Sequence, residues 1–192
     1  MFEQSTGNSG KFWKGQTRYR REGHKILEPI TPEQFAENMT SGEFLKPHYR
    51  PYPVLVYYSG VRETEALRVT PEDFIQSETA LYFEVGQRLK HSNQTPPLKL
   101  PLDKPFMNLL KEQIDATAKE AHVFPFCSKT AYNIMYRAGF HYPHLCRLSR
   151  ITNLFEQGWT ITQVKNWTGL SLAALNFYVG RVDTEHMGDK LT

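Results

Sequence analysis

The sequence predicts a mainly α-helical domain that carries a small antiparallel β-sheet, an α+β fold, and three observations predict it. Apolar residues recur at helical spacing in Leu145, Leu148, Ile151, Leu154 and Phe155, and again in Phe106, Leu109, Leu110 and Ile114. Between the N-terminal helical signals and these segments the period changes. Leu81-Tyr82-Phe83-Glu84-Val85 is rich in strand formers, and Leu98-Lys99-Leu100 alternates apolar with polar. The loop joining them, Lys90 to Pro97, is built from turn residues, which is the pattern of a β-hairpin.

In chain order, Thr31-Pro32-x-Gln34 reads as a capping box with proline at the first helical position, opening a helix to about Met39. A second apolar segment, Val54 to Tyr58, runs into Ser59-Gly60-Val61-Arg62. Gly60 breaks it, and Arg62 stands at the start of a new helical turn, Glu63 to Leu67. After the hairpin, helical spacing returns from Pro105 to Ala121 and from Ala131 to Ala138. Gly158 ends the helix that follows His144, and Thr160 with Gln163 makes a second capping box. A Thr168-Gly169-Leu170 turn then precedes a last helix that Ser171 can cap, with Leu172, Leu175 and Val179 as its expected buried stripe. Tyr178 lies roughly a right angle from the centre of that stripe at about 3.6 residues per turn, so its hydroxyl is expected to face a cleft.

The chain has 192 residues, 40% of them hydrophobic, enough for one domain with a full core. It lacks an apolar run of membrane-spanning length and a signal-peptide pattern, so a cytoplasmic protein with no membrane partner is expected. A nucleoid-associated protein, or a viral one in its host's cytoplasm, fits this expectation. Cys127 and Cys146 have no metal-ligand spacing and read as reduced thiols; neither a metal nor a cofactor is expected. The net charge of +3 is unevenly spread. Lys11, Lys14, Arg18, Arg20, Arg21 and Lys25 face Glu22 alone across residues 11–25, a local +5 that leaves the remainder at −2. Phe12, Trp13 and Tyr19 are interleaved with these cations. Such an arm suits a DNA backbone, where cations gain from counterion release, and it can stay a solvated tail until DNA arrives. The expected organisation is a basic arm over 1–26, a folded domain over 27–180 and a polar tail over 181–192.

His144 and Arg147, three apart, fall on neighbouring positions of one helix face, and with a later flanking tyrosine they suggest phosphoryl transfer to Tyr178. Five elements together resemble the tyrosine recombinases, the phage and plasmid integrases. SGVRETEALRVTPEDF (59–74) resembles the family's first box, with Arg62, Glu65 and Asp73 on its positions. Lys90 falls on the hairpin lysine, Leu100-Pro101-Leu102 resembles the end of that hairpin, His144-x-x-Arg147 matches the second box, and Tyr178 matches the nucleophile. The resemblance covers about residues 30–180. It departs at Leu148, where the family often has histidine, and at Gly169-Leu170, where a histidine or tryptophan is usual. An N-terminal DNA-clamping domain is also usual, and about thirty residues are too few for one.

The resemblance implies that Tyr178 attacks a phosphodiester of double-stranded DNA to give a 3′-phosphotyrosine. Arg62 and Arg147 would hold the non-bridging oxygens, His144 would accept a proton or donate to phosphate, and Lys90 would protonate the leaving 5′-oxygen. Glu65, Asp73 and Gly169 are expected to support the site. Assembly as a tetramer on paired DNA sites is implied as well. Lys99 rivals Lys90 in the hairpin; His141 rivals His144 but lacks an arginine three residues on; His122 and His186 carry no expected role. Two other readings stand beside this one. Gly158 to Arg181 also reads as a helix-turn-helix, which would make a non-catalytic DNA-binding regulator and leave Tyr178 as packing. A type IB topoisomerase-like enzyme would keep the chemistry and only nick and reseal.

Overall fold

The computed structural model describes residues 29–41, 46–84, 97–140 and 144–179. Eight α-helices and three strands are present among them: α1 (Pro32–Thr40), α2 (Pro51–Ser59), α3 (Glu63–Ala66), β1 (Phe74–Gln76), β2 (Ala80–Phe83), β3 (Leu98–Pro101), α4 (Met107–Ala116), α5 (Ser128–Arg137), α6 (Leu145–Glu156), α7 (Ile161–Thr168) and α8 (Leu172–Val179). Short 3-10 turns at Pro47–Tyr49 and Pro71–Asp73 precede α2 and β1. The mainly α fold with a small antiparallel sheet is therefore observed. None of these helices is long and apolar enough to cross a membrane.

The molecule is built around α2. All nine of its residues are buried, so it has no polar face and packs on α3, α4, α5, α6 and β3. A helix apolar all round belongs in a core, which is why the Val54–Tyr58 run shows no amphipathic period. Phe35 of α1 stacks flat on Tyr57 at 4.1 Å, and Tyr52 meets Phe124 and Phe126 edge-on. Both capping boxes form: Thr31 and Gln34 exchange bonds of 2.9 and 3.2 Å, and Thr160 and Gln163 bonds of 2.8 and 3.3 Å.

The sheet has the order β1-β2-β3, antiparallel throughout, with Phe74 opposite Phe83 and Leu81 opposite Leu100. It has one strand more than the hairpin expected from sequence. β1 is only three residues long and two of those are exposed, so it carries no alternating pattern to read. The helix expected over Pro105–Ala121 is confined to Met107–Ala116, because Thr117 turns out of the helix into an extended conformation.

α6 joins two cores. Its first half (Leu145, Cys146, Leu148) belongs to the large cluster around α2. Its second half (Ile151, Leu154) makes a smaller cluster with Val164 of α7 and Leu175 of α8. The buried stripe expected on α8 needs correction. Leu175 is fully buried, but Leu172, the first residue of α8, is 48% exposed.

Candidate active site

Gly60 sets up the site. It ends α2 in the left-handed conformation (φ 66°), which lets the chain reverse into α3 within two residues. The reversal puts Arg62 at the N-cap of α3. Glu65 holds it there twice: the Arg62 backbone N–H donates to Oε2 at 2.9 Å, and Nη1 donates to Oε1 at 2.7 Å. Glu65 is itself buried, its side chain 3% exposed against 33% for that of Arg62. A buried carboxylate thus aims a half-exposed guanidinium.

Arg147 arrives from the other side. It is buried, donating from Nη1 to the Gly60 carbonyl at 2.8 Å and from Nη2 to the Thr168 carbonyl at 3.0 Å. These carbonyls terminate α2 and α7, so one guanidinium joins two helix C-termini, whose partial negative charges favour a cation. Gly169 (φ 64°) makes the second of those termini by capping α7 on the Lys165 carbonyl at 2.8 Å. Trp167 completes the joint with an Nε1–H bond of 3.3 Å to the Ser59 carbonyl.

Arg147 is therefore anchored on the carbonyl of Gly60, two residues before Arg62 in the chain. His144 stands just before α6 as its N-cap, and it is exposed. The helix expected to contain both residues starts one position later, so His144 leads the helix from which Arg147 projects. Tyr178 lies on α8 as expected, half-buried, with its ring against both core clusters. Asp73 does not face Arg62. Its carboxylate accepts from the Thr70 backbone N–H (2.8 Å) and hydroxyl (3.3 Å), which pins the corner before β1. Lys90, His141, His186 and the arm cations Lys11, Lys14, Arg18, Arg20, Arg21 and Lys25 lie outside the described residues. Lys99 is exposed on β3, and His122 lies exposed between α4 and α5.

Three residues here escape a reading of the sequence. Glu63, next to Arg62, is half-buried, and burial pushes its carboxyl up to about 7. Arg150, three residues after Arg147, packs its guanidinium over the Trp167 ring with Cζ 5.0 Å from the centroid. Trp167 couples that arginine to Ser59. The one available signal was the repeat of three in His144, Arg147 and Arg150, which continues the same helix face for another turn.

Solved structures with a similar architecture identify the fold. The XerH site-specific recombinase in a pre-cleavage complex with its difH substrate superposes with a TM-score of 0.58 at 19% identity, over 80% of this chain and 49% of that one. The same recombinase in a post-cleavage complex on palindromic difH gives 0.64 at 18% identity, over 88% and 54%. The XerA recombinase gives 0.55 at 14% identity, over 92% and 71%. The chain has the tyrosine recombinase fold. It spans about half the length of the XerH chains. No family model matches the sequence, and a comparison with curated proteins finds no match. Within the tyrosine recombinase fold, α6 is bonded to Gly60 through Arg147 and packs against α8, the helix that bears Tyr178.

Proposed function

We propose that this chain is a site-specific DNA recombinase, or integrase, that cleaves and rejoins double-stranded DNA through a covalent 3′-phosphotyrosine at Tyr178. The observation that carries the reading is the pairing, within a tyrosine recombinase fold, of Arg62 aimed by Glu65 with Arg147 anchored on the carbonyl of Gly60, two residues before Arg62. In the cleavage step the Tyr178 Oη attacks phosphorus, a P–O bond to tyrosine forms, and the bond to the 5′-oxygen breaks. The phenolic proton passes to His144, and Lys90 gives a proton to the leaving 5′-oxygen. Attack by a 5′-hydroxyl on the phosphotyrosine reverses these steps and rejoins the strand.

A phenol with an ordinary pKa of about 10 is a weak nucleophile at neutral pH, so charge on the pentacoordinate phosphate has to be met by fixed donors. Arg62 supplies a fork already aimed by Glu65. Arg147 supplies a guanidinium with five N–H donors, and its two carbonyl bonds fix where it stands. The proposal includes assembly as a tetramer on paired sites.

The test is a suicide duplex, nicked so that the cleaved 5′ end diffuses away. The full chain is expected to leave a covalent protein–DNA adduct on a denaturing gel, and Tyr178→Phe to leave none while still binding duplex. An adduct with Tyr178→Phe would mean that another tyrosine attacks. Duplex binding without adduct from either protein would favour the helix-turn-helix regulator. Nicking and resealing of one site, without joining of two, would favour the topoisomerase-like reading.

A further inference from the structure

Arg150 belongs neither to the motifs read from the sequence nor to an ion pair, and its surroundings are unusual for a cation. Its stem lies against Gly60 so closely that a Cβ on that glycine would meet Arg150 Cγ at 3.1 Å and Cβ at 3.2 Å. Trp167 covers one face of the guanidinium at 5.0 Å. Nε is fully buried and has no hydrogen-bond partner. No carboxylate among the described residues pairs with Arg150. The carbonyls of this joint bond other donors: those of Gly60 and Thr168 accept from Arg147, and that of Ser59 accepts from the Trp167 indole. Tyr57, another neighbour, gives its hydroxyl to the Ile30 carbonyl at 3.2 Å.

An arginine is rarely enclosed without a partner, because a buried charge costs free energy unless it is paired and hydrogen-bonded. Burial here works against the charged form of Arg150. The residue is nonetheless not sealed in. It is half-buried overall, and the part of the fork beyond Nε reaches the surface. The result is a guanidinium with its stem and one face immobilised and its outer edge turned to solvent, on the same glycine as Arg147. Such an edge loses little entropy on taking an anion and offers two parallel donors to it.

From this juxtaposition of Arg150, Trp167 and Gly60 we infer that Arg150 is a phosphate-binding residue, taking a backbone phosphate of the bound duplex beside the one held by Arg62 and Arg147. The inference rests on the DNA-binding reading above and adds a contact to it. A duplex strand presents a phosphate about every 3.4 Å along its axis, so a site that holds one phosphate brings others past its rim. The contact is independent of base sequence and needs no cleavage.

The experiment measures binding of a mixed-sequence duplex to the full chain at several salt concentrations, in a Tyr178→Phe background so that no adduct accumulates. Arg150→Met keeps the stem against Gly60 and Trp167 and removes the charge. It is expected to weaken binding and to make the slope of log K against log salt shallower by about 0.9, the value for one phosphate contact, with the thermal midpoint retained. The same slope with and without Arg150 would overturn the inference and leave the recombinase reading standing. Absence of duplex binding by either protein would remove both.

Should Arg150→Met fail to fold, Arg150→Lys keeps the charge and assigns the Arg150 Nε–H resonance by its disappearance. In the parent chain that resonance should shift on adding duplex at low salt and return at high salt. A resonance that ignores the duplex would mean that Arg150 is only a prop for Gly60.

Discussion

Glu63 is the residue most sensitive to its surroundings near the proposed chemistry. It follows Arg62 directly, its backbone carbonyl accepts from the Tyr52 hydroxyl at 3.2 Å, and its charge adds to the burial that raises the neighbouring Cys146 thiol and Tyr132 phenol. Burial raises its carboxyl to about 7, whereas an unfolded glutamate titrates near 4.3. The folded chain therefore holds a proton that the unfolded chain has released. Stability from this group is fully present below the unfolded pKa and is lost as pH rises through about 7. Glu63→Gln mimics the protonated form, so the variant should gain on the parent between about pH 5 and pH 8 in urea unfolding. Parallel pH profiles for the two proteins would refute this. The sequence contains no sign of it, since a glutamate in the first turn of a helix ordinarily reads as a favourable, solvated charge.

At the scale of elements, the joint between α2, α3 and α6 matters more than any one helix. Gly60 is needed there for two separate reasons. Its φ of 66° disfavours any residue with a Cβ, and that Cβ would press on Arg150 at 3.1–3.2 Å. Left-handed backbone alone costs about 1–2 kcal/mol for an ordinary residue, and the crowding adds to it. Gly60→Ala should lower the denaturation midpoint accordingly and slow adduct formation further, because the carbonyl held by Arg147 and the start of Arg62's helix both move. A variant with parent-like stability and rate would show that the joint is soft. The glycine was legible as a helix end, and Arg62 after it as an aimed residue. The clamp from Arg147 was not, because the two residues it joins, Gly60 and Thr168, are far apart in sequence and share no pattern.

For the whole molecule, the domain and its basic arm should be separable. Ile30 is anchored three times: its N–H donates to Ser149 Oγ at 2.8 Å, and its carbonyl accepts from the Tyr57 hydroxyl at 3.2 Å and from Asn153 Nδ2 at 3.5 Å. Removing residues 1–26 leaves that anchor in place. The truncated chain should keep its thermal midpoint while binding duplex more weakly, with a flatter salt dependence, because several cations leave together. Unchanged affinity and slope would mean that the arm does not contact DNA. The described residues carry the site corner without the arm, so covalent chemistry on tightly bound suicide substrate should persist.

Local rules were enough for much of this protein. Thr31 with Gln34, and Thr160 with Gln163, announce helix starts because a cap is a bond between residues three apart. Gly60, Gly158 and Gly169 announce ends for the same reason of reach. The mainly α architecture, the antiparallel pair β2–β3 and the order of the candidate residues Arg62, His144, Arg147 and Tyr178 were accordingly readable before any fold. Tertiary structure alone decided which carboxylate holds Arg62, that Asp73 is spent on Thr70, and that Leu172 lies outside the core while Leu175 lies within it. It also decided that Arg147 joins two helix ends and that Arg150 is enclosed beside it. These depend on burial and on which distant carbonyls come within hydrogen-bond reach, and neither is encoded in the spacing of residues along one chain segment.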